Sequence, residues 1–298
     1  MCGITGIINL NGSPVSELVV QKMTNAIKHR GPNAEGYWFD KNVGFGHRRL
    51  SIIDLSNSGN QPMLSKDLKY ILCYNGEIYN YRELRKELLK IGYSFISETD
   101  TEVVLNSLIH WGKNALLKFN GMFAFSFWDK EKKRLLLARD RYGIKPLYYS
   151  LQQDIFSFGS EQKSIIAQEN FNRSLNTSAL LEYFTFQNIF TDQTLLNDIK
   201  ILPAGSFCEL NVKSKHFFKE QYWDYKFQEP EKIYKKEDYL SELDFLFKQA
   251  VSRQLISDVE LGTYLSGGMD SGSIAAIASN HFPYLKSFTC GFDLSSAS

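Results

Sequence analysis

Short apolar runs and amphipathic segments follow one another through the first two thirds of the chain. Apolar residues at helical spacing predict a helix after Ser16, and further helices at 81–91 and 103–111. Many strands with a few amphipathic helices indicate two sheets with helices outside them, which is a layered α+β domain. The predicted strands are 3–8, 43–53, 70–74, 122–128, 134–138 and 147–150.

Turn and capping residues divide this pattern into elements. The dipeptide Asn11-Gly12 predicts a tight turn after the first strand, and Asn75-Gly76 predicts the end of the strand at 70–74. Residues that favour helix N-termini precede each predicted helix. These capping residues are Ser16, Asn80 with Glu83, and Thr99 with Glu102.

A second domain is expected after a connector. Residues 211–236 are rich in Lys, Glu and aromatic residues with little periodicity, whereas 239–255 have one apolar stripe at helical spacing. A strand at 261–265, a glycine-containing loop, a helix at 273–279 and a strand at 287–292 then predict the opening βαβ unit of a parallel sheet. The predicted limits are 1–210, 211–236 and 237–298. Because two strands cannot cover both faces of such a sheet, we interpret the chain as truncated.

Composition excludes several classes of protein. Hydrophobic residues make up 43% of the chain and aromatic residues 14%, which is typical of globular and not of disordered proteins. The net charge is +1 with both signs interspersed, so neither a nucleic acid nor an anionic membrane is expected as a partner. Without a signal peptide or a long apolar run, the expected location is cytoplasmic. The four cysteines lack metal-binding spacing and are expected to be free thiols.

Cys2 is the first candidate for chemistry. Removal of Met1 would give this residue a free α-amine beside its thiol, and the amine has an ordinary pKa of about 7.7 to 8.0. One residue could then supply both a nucleophile and a base. Taken alone, a cysteine near a terminus is more often a small apolar residue, so the assignment needs support from other motifs.

The loop Ser266-Gly267-Gly268-Met269-Asp270-Ser271-Gly272 is the second candidate. A strand that runs through two glycines into a helix presents backbone N–H groups and a helix N-terminus to one point, a geometry suited to phosphate or pyrophosphate. The loop matches neither the Walker P-loop nor the dinucleotide fingerprint. The competing interpretation is a Gly-Gly turn that binds nothing.

Together these segments resemble the N-terminal-nucleophile glutaminase domain of glutamine-dependent amidotransferases. With the loop at 266–271, the whole chain resembles the glutamine-hydrolysing asparagine synthetase family, and the motifs occur in the family's order. The motifs are Cys2-Gly3-Ile4, His29-Arg30-Gly31-Pro32, His47-Arg48-Arg49-Leu50-Ser51-Ile52, Tyr74-Asn75-Gly76-Glu77-Ile78-Tyr79-Asn80, Gly121-Met122-Phe123-Ala124-Phe125, Arg139-Asp140-Arg141-Tyr142-Gly143, Gly159-Ser160-Glu161 and the loop itself with Leu265.

For the first domain the resemblance implies a four-layer αββα fold in which Cys2 attacks the side-chain amide of glutamine. It implies that the Asn75 side chain and the Gly76 backbone N–H stabilise the oxyanion, while Arg49 binds the α-carboxylate. The neighbouring Arg48 is expected to be a solvated surface residue. The remaining implied glutamine-binding residues are Leu50, Ser51, Ile52 and Ile53, through backbone contacts, and Asp100 with Glu77, at the α-ammonium group.

For the second domain the resemblance implies ATP, Mg²⁺ and an acceptor carboxylate that is activated as an acyl-adenylate. Asp270 is the implied metal ligand, and Cys290 would pack near adenosine without acting as a nucleophile. Two departures stand out: Gly272 replaces a usual second serine, and Met269 replaces a usual leucine. The implied ATP-binding residues are Leu265, Ser266, Gly267, Gly268, Asp270, Ser271 and Cys290.

The resemblance leaves several functions open. Aspartate, giving asparagine, is the expected acceptor, and a sugar acid of a surface polysaccharide is the alternative. Relatives that make glucosamine phosphate or phosphoribosylamine are disfavoured by the loop at 266–271. A non-catalytic module that binds glutamine is a third interpretation, which a retained Met1 would favour because it blocks the Cys2 amine. The oligomeric state is open, with a homodimer as one option.

Overall fold

The computed structural model describes residues 1–169, 171–229 and 232–291. They divide into two compact units, one spanning residues 1–225 and the other beginning at residue 226. The strands of the first unit are β1 (Gly3–Asn9), β2 (Ala34–Asp40), β3 (Val43–Arg49), β4 (Met63–Leu64), β5 (Tyr70–Ile78), β6 (Gly121–Asp129), β7 (Arg134–Arg139), β8 (Tyr148–Gln152), β9 (Ile155–Gly159), β10 (Ile199–Ile201), β11 (Ser206–Asn211) and β12 (His216–Gln221). Its helices are α1 (Glu17–Ala26), α2 (Tyr81–Lys90), α3 (Asp100–Trp111), α4 (Ala115–Lys118), α5 (Gln162–Ile166) and α6 (Thr177–Phe186).

These strands form two sheets. Sheet 1 has the order β10-β8-β9-β1-β3-β2, and sheet 2 has the order β12-β11-β7-β6-β5-β4; the pairs within both sheets are antiparallel. Helices α1 and α5 pack on sheet 1, whereas α3 packs on β5 of sheet 2 and α2 packs on α3. The two antiparallel sheets with helices outside them confirm the predicted α+β sandwich.

The main hydrophobic core lies between the two sheets. Strands β1, β3 and β9 of sheet 1 contribute to it from one side and β5, β6 and β7 of sheet 2 from the other, as alternation along each strand requires. A smaller cluster, formed by Ile7, Val20 and Met23, joins sheet 1 to α1. The central cluster contains Ile4, Ile8, Val43, Phe45, Ile71, Cys73, Ala124, Trp128, Leu135, Leu137, Phe156 and Phe158 among others.

Two predicted strand ends were wrong. Asn75-Gly76 forms no turn, because β5 continues to Ile78 and stays paired with β6 over its whole length. Gly76 permits this pairing, since a Cβ atom there would lie 2.3 Å from the carbonyl oxygen of Met122. Conversely, β3 ends at Arg49 and not at residue 53, because its ladder with β1 ends at Arg48 and its ladder with β2 ends at Arg49.

The capping predictions were confirmed for one helix of three. The Thr99 hydroxyl accepts a hydrogen bond from the Glu102 N–H at 3.2 Å, whereas the Ser16 side chain makes no capping bond. The Asn80 side chain accepts a hydrogen bond from Asn120 N and donates one to the carbonyl oxygen of Lys118, the last residue of α4. These tertiary contacts replace the predicted cap.

The expected connector contains regular structure. Strand β12 lies within residues 211–236 and pairs with β11, because its apolar Phe217 packs against the central core. The domain limits themselves stay a prediction.

The second unit contains α7 (Lys236–Arg253), β13 (Gly262–Tyr264), α8 (Met269–Ser279) and β14 (Lys286–Phe288). Strands β13 and β14 pair in parallel across α8, which confirms the predicted βαβ connection. Helix α8 begins four residues earlier than predicted, at Met269, so the end of the glycine loop forms its first turn. The predicted apolar stripe of α7 is largely exposed among the described residues. Strand β14 ends at Phe288, so the strand predicted at 287–292 is shorter than expected; residue 292 lies outside the described residues.

Candidate active site

Three neighbouring strands carry the candidate residues to one end of the space between the sheets. Side chains alternate between the two faces of a strand, and the inward positions of β1, β3 and β5 are known from the residues that fill the core. The same alternation, continued along each strand, directs the side chains of the candidate residues into the space between the sheets. Thus Cys2 continues the row of Ile4 and Ile8, Arg49 that of Val43 and Phe45, and Asn75 and Glu77 that of Ile71 and Cys73.

Cys2 is half-buried at the start of β1. Its sulfur accepts a hydrogen bond from Leu50 N at 3.3 Å and lies 3.5 Å from Leu50 O, while its own carbonyl accepts from Arg30 Nε at 2.9 Å. Burial raises the pKa of the thiol above its usual value, and the Leu50 N–H partly opposes this effect. Burial also lowers the pKa of the terminal amine on Met1. Both shifts favour the uncharged form of the group concerned.

A cavity of about 390 Å³ opens beside the Cys2 sulfur. Its walls come from β5, from the start of α3 and from the segment after β3. Of the sequence-predicted glutamine site, Ser51 is outside this wall, and its N–H donates to Asn33 Oδ1 at 3.1 Å. The predicted residues that line the cavity are Cys2, Arg49, Leu50, Ile52, Ile53, Asn75, Gly76, Glu77 and Asp100.

Asn75 presents a hydrogen-bond donor to this cavity. Its side chain is almost fully buried, and Nδ2 has no partner among the described residues. An unpaired buried donor is costly in a folded protein, so it commonly marks a place where a ligand or water completes the bonding. Asn75 lines the same cavity as Cys2.

Arg49 brings a positive charge to the wall of the cavity. Its guanidinium group donates to Ser56 O at 2.6 Å, to Asn60 Oδ1 at 3.0 Å and to Asp54 O. These acceptors are neutral, and burial lowers the pKa of the group below its usual value. The guanidinium is thus held in place while its charge stays available to a carboxylate.

Two carboxyl groups supply the opposite charge. Asp100, in the first turn of α3, accepts hydrogen bonds from the Tyr74 hydroxyl at 2.8 Å and from Ile78 N at 2.9 Å. Burial raises the pKa of Asp100 to about 6, and burial together with the charge of Asp100 raises the pKa of Glu77 to about 6. Because these two acids weaken each other's ionisation, a bound cation would be favourable between them.

Several supporting residues had no recognisable signal in the sequence. Gly59 leaves room for the guanidinium group, since a Cβ atom there would lie 2.2 Å from Arg49 Nη2. The side-chain oxygen of Gln61 accepts from Tyr74 N at 2.6 Å. Tyr74 was part of a sequence motif. Only the packing of α3 on β5 shows that its hydroxyl donates a hydrogen bond to the Asp100 carboxylate.

Arg48 is not the solvated residue that the sequence suggested. It is 6% exposed, forms an ion pair with Glu35 and donates hydrogen bonds to Asn25 Oδ1 and Thr24 O. Adjacent strand residues face opposite sides, so Arg48 points to the helix layer when Arg49 points to the cavity.

Comparison with known proteins agrees with this geometry. Residues 1–223 match the glutamine amidotransferase domain family, and residues 242–298 match the asparagine synthase family. Asparagine synthetase (glutamine-hydrolyzing) 1 of Bacillus subtilis (strain 168) is 38% identical over 300 residues, which cover 98% of this chain and 46% of the relative. The chain belongs to the asparagine synthetase family. Within it, the first unit is a glutamine amidotransferase domain.

Two further relatives match most of this chain. Asparagine synthetase (glutamine-hydrolyzing) 3 of the same organism is 37% identical, over 95% of this chain and 46% of its own length. Amidase chry2 of Gibberella zeae is 35% identical, over 94% of this chain and 43% of its own length. The chain therefore spans about half the length of the curated relatives it matches.

The fold also has a counterpart among solved structures. Glutamine phosphoribosylpyrophosphate amidotransferase from B. subtilis superposes with a TM-score of 0.56 at 16% identity, covering 97% of this chain and 65% of that one. At this level of identity the likeness concerns the fold alone, and it agrees with the sandwich predicted from the sequence.

The loop between β13 and α8, with the first turn of α8, holds the sequence-predicted ATP residues other than Cys290. Ser266 and Ser271 are joined by a hydrogen bond of 2.9 Å between their hydroxyls, and Gly267 has a φ of +83° that favours glycine. Gly268 caps α8, so the first N–H groups of this 11-residue helix open towards the loop. Leu265 N donates to Phe288 O at 2.9 Å, which places the loop beside the end of β14, and Cys290 is exposed.

Neither a metal cluster nor a membrane span is found in the part of the chain that the structure describes. No group of three potential metal ligands occurs within residues 1–169, 171–229 and 232–291, so Asp270 stands as a single carboxylate. No helix in those same ranges is long and apolar enough to cross a membrane.

Proposed function

We propose that the first unit hydrolyses glutamine to glutamate and ammonia, with Cys2 as the nucleophile after removal of Met1. The observation that carries this proposal is the unpartnered, buried Nδ2 of Asn75 in the cavity that also holds the Cys2 sulfur. Because this donor has no hydrogen bond to break, it can bind a substrate oxygen on which negative charge develops without a cost of reorganisation.

In the proposed reaction the Cys2 α-amine accepts the thiol proton, directly or through a water molecule, and the sulfur attacks the side-chain carbonyl of glutamine. The oxyanion of the tetrahedral intermediate accepts hydrogen bonds from Asn75 Nδ2 and Gly76 N. The amine then returns its proton to the leaving nitrogen, so ammonia departs and a thioester remains. Water attacks the thioester in the same way and releases glutamate.

The ends of the cavity match the two charges of an α-amino acid. Arg49 would bind the α-carboxylate, because its guanidinium is fixed by neutral acceptors. Asp100 and Glu77 would bind the α-ammonium group, which would favour the ionised form of both acids. Leu50, Ile52 and Ile53 would form the wall along the side chain of the substrate.

Release of glutamate from glutamine tests this proposal. The purified chain is incubated with glutamine, and its intact mass is measured to establish that Met1 is absent. We expect turnover in the processed protein and its loss in Cys2→Ala, which should still bind glutamine because no charged group of the cavity is changed. Turnover that persists in Cys2→Ala would refute the assignment, and binding without turnover in processed wild type would favour the non-catalytic module.

We further propose that the ammonia amidates an ATP-activated carboxylate, with aspartate as the acceptor. The match to the asparagine synthase family implies the use of ATP. The loop fits a pyrophosphate group, since Gly267 and the N-terminus of α8 expose backbone donors there. Leu265, Ser266, Gly268, Ser271 and Cys290 would surround the nucleotide, with Mg²⁺ at Asp270. Bound ATP supplies the adenylate that activates the carboxylate.

The acceptor can be identified by exchange of labelled pyrophosphate into ATP, which requires formation of an acyl-adenylate. We expect exchange with aspartate. Exchange with a sugar acid but not with aspartate would support the alternative function. The fungal relative named as an amidase makes this comparison worthwhile.

A further inference from the structure

Lys145 is a buried cation at the candidate active site to which no role has been assigned. It is 5% exposed and lines the cavity that contains Cys2 and Glu77. Its sequence motif, Arg139-Asp140-Arg141-Tyr142-Gly143 with the residues that follow, belongs to the family resemblance, yet the glutamine site described above uses none of it. A buried ammonium group carries a large desolvation cost unless it is compensated, so its position calls for an explanation.

The backbone of Lys145 is held rigidly. The fully buried carboxylate of Asp140 accepts hydrogen bonds from Lys145 N at 3.0 Å and Phe123 N at 3.1 Å, and Lys145 O accepts from Arg139 Nε at 2.8 Å. Phe123 is paired with Gly76 across β5 and β6. The loop that carries the lysine is therefore tied to the strand that carries the expected oxyanion donors.

The ammonium group of Lys145, in contrast, has a weak partner. Within the described residues its one hydrogen bond is to the sulfur of Met1, at 3.2 Å. A thioether is a poor acceptor, and the proposed processing of the chain removes it. The charge of Lys145 already interacts with the Met1 amine, the Cys2 thiol and the Glu77 carboxylate. After processing, the ammonium would face the new α-amine of Cys2 and the Glu77 carboxylate.

We propose that Lys145 is a positioning residue which, after Met1 is removed, keeps the Cys2 α-amine unprotonated and Glu77 ionised. This inference rests on the proposed glutaminase function. A fixed positive charge disfavours protonation of a neighbouring amine and favours ionisation of a neighbouring carboxyl group. Both effects maintain the reactive state at lower pH, so they act in the same direction.

Other charged groups face the same point and set the background for this effect. Two of them are cations and three are acids, so removal of one cation shifts the local balance. They are Arg30 from the turn Lys28–Arg30, Arg49 from β3, Glu77 from β5, Asp100 from α3 and Asp140, which follows β7.

The test is the pH dependence of kcat/KM for glutamine in processed wild type and in Lys145→Met, Lys145→Gln and Lys145→Arg. In the two neutral variants the acidic limb should move to higher pH by about one unit, which is about a tenfold loss at any pH on that limb. The plateau at high pH should be retained. Lys145→Arg keeps the charge, so its limb should coincide with that of wild type.

Lys133→Met is the matched control. It removes a lysine charge from the far end of β6, beyond Asp129, whereas the active site lies at the Met122–Phe123 end. We expect its profile to be that of wild type. Thermal unfolding of each variant reports folding, and Lys145→Arg supplies a charged variant at the same position.

The outcomes test the role of Lys145 and the proposed glutaminase function separately. An unshifted limb in Lys145→Met and Lys145→Gln, a uniform loss at every pH, or a shifted limb in Lys145→Arg would overturn the role of Lys145. An increase in KM alone would do the same and would indicate substrate binding instead. Absence of turnover in processed wild type would instead refute the proposed glutaminase function.

Discussion

Replacement of Asn75 by alanine separates the chemistry of the site from its stability. The change deletes Nδ2, which is buried and unpartnered in the resting protein, and leaves the ladder between β5 and β6 intact. If Nδ2 donates to the oxyanion, its deletion removes an interaction made only in the transition state. We therefore expect kcat for glutamate release to fall while KM stays nearly constant.

The magnitude follows from the donor and its surroundings. Loss of one oxyanion donor costs about 2.7 to 4 kcal/mol, which corresponds to a decrease in kcat of about 10² to 10³. The folded state loses little, because an unsatisfied buried amide costs about 1 to 3 kcal/mol and its removal offsets part of the cost of the small cavity left behind. The midpoint of thermal unfolding should thus change by only a few degrees.

Steady-state glutamate release and thermal unfolding are measured on the same preparations. Asn42→Ala is the matched control, since Asn42 Nδ2 donates to Asn9 O at 2.8 Å away from the cavity. This control should lose stability and keep its kcat. A fall in kcat of less than about tenfold in Asn75→Ala would refute the oxyanion role of that side chain.

Two further predictions concern recognition of the substrate. Gly59→Ala places a Cβ atom 2.2 Å from Arg49 Nη2, so the flexible guanidinium must move; KM for glutamine should rise about 10- to 100-fold, and an unchanged KM would contradict the role of Arg49. Asp100→Asn should weaken glutamine binding but raise the unfolding temperature at pH 7, because it replaces a buried acid whose pKa is raised to about 6. The gain in stability should shrink as the pH falls below about 6 and vanish only below the ordinary pKa of the carboxyl, 3.8, where the folded and the unfolded wild-type chains are both neutral at this position. For the same reason the Kd of glutamine for Cys2→Ala should rise as the pH falls below about 6, where Asp100 and Glu77 lose their charge.

The local pattern of the sequence was sufficient where structure depends on neighbours in the chain. Strands β1, β6 and β7 and helix α2 lie close to their predicted positions, because their apolar spacing matches the faces they bury. The βαβ order around α8 followed from the same periodicity. The cap at Thr99 was also predictable, since its hydrogen bond spans three residues.

The errors occurred where a distant contact overrides a local preference. Asn75-Gly76 is a strong turn signal, but full pairing with β6 keeps it extended. Asn80 has the spacing of a cap, yet its side chain bonds to residues near α4. Residues 50–53 are apolar enough for a strand, but the ladders of β3 with β1 and β2 end at Arg48 and Arg49, so residues 50–53 are paired in neither ladder.

The sequence by itself determined the chemical groups of this protein: a cysteine that processing can make N-terminal, an amide donor, an arginine and two acids, in the order of a known family. Only the tertiary structure decided how they meet. Cys2, Arg49 and Asn75 are far apart in the chain. They meet in one cavity because the inward-facing side chains of β1 and β3 in sheet 1 lie opposite those of β5 in sheet 2. The pKa values of Asp100 and Glu77 and the roles of Gly59, Tyr74 and Lys145 depend on burial and on contacts between elements, which no spacing along the chain encodes.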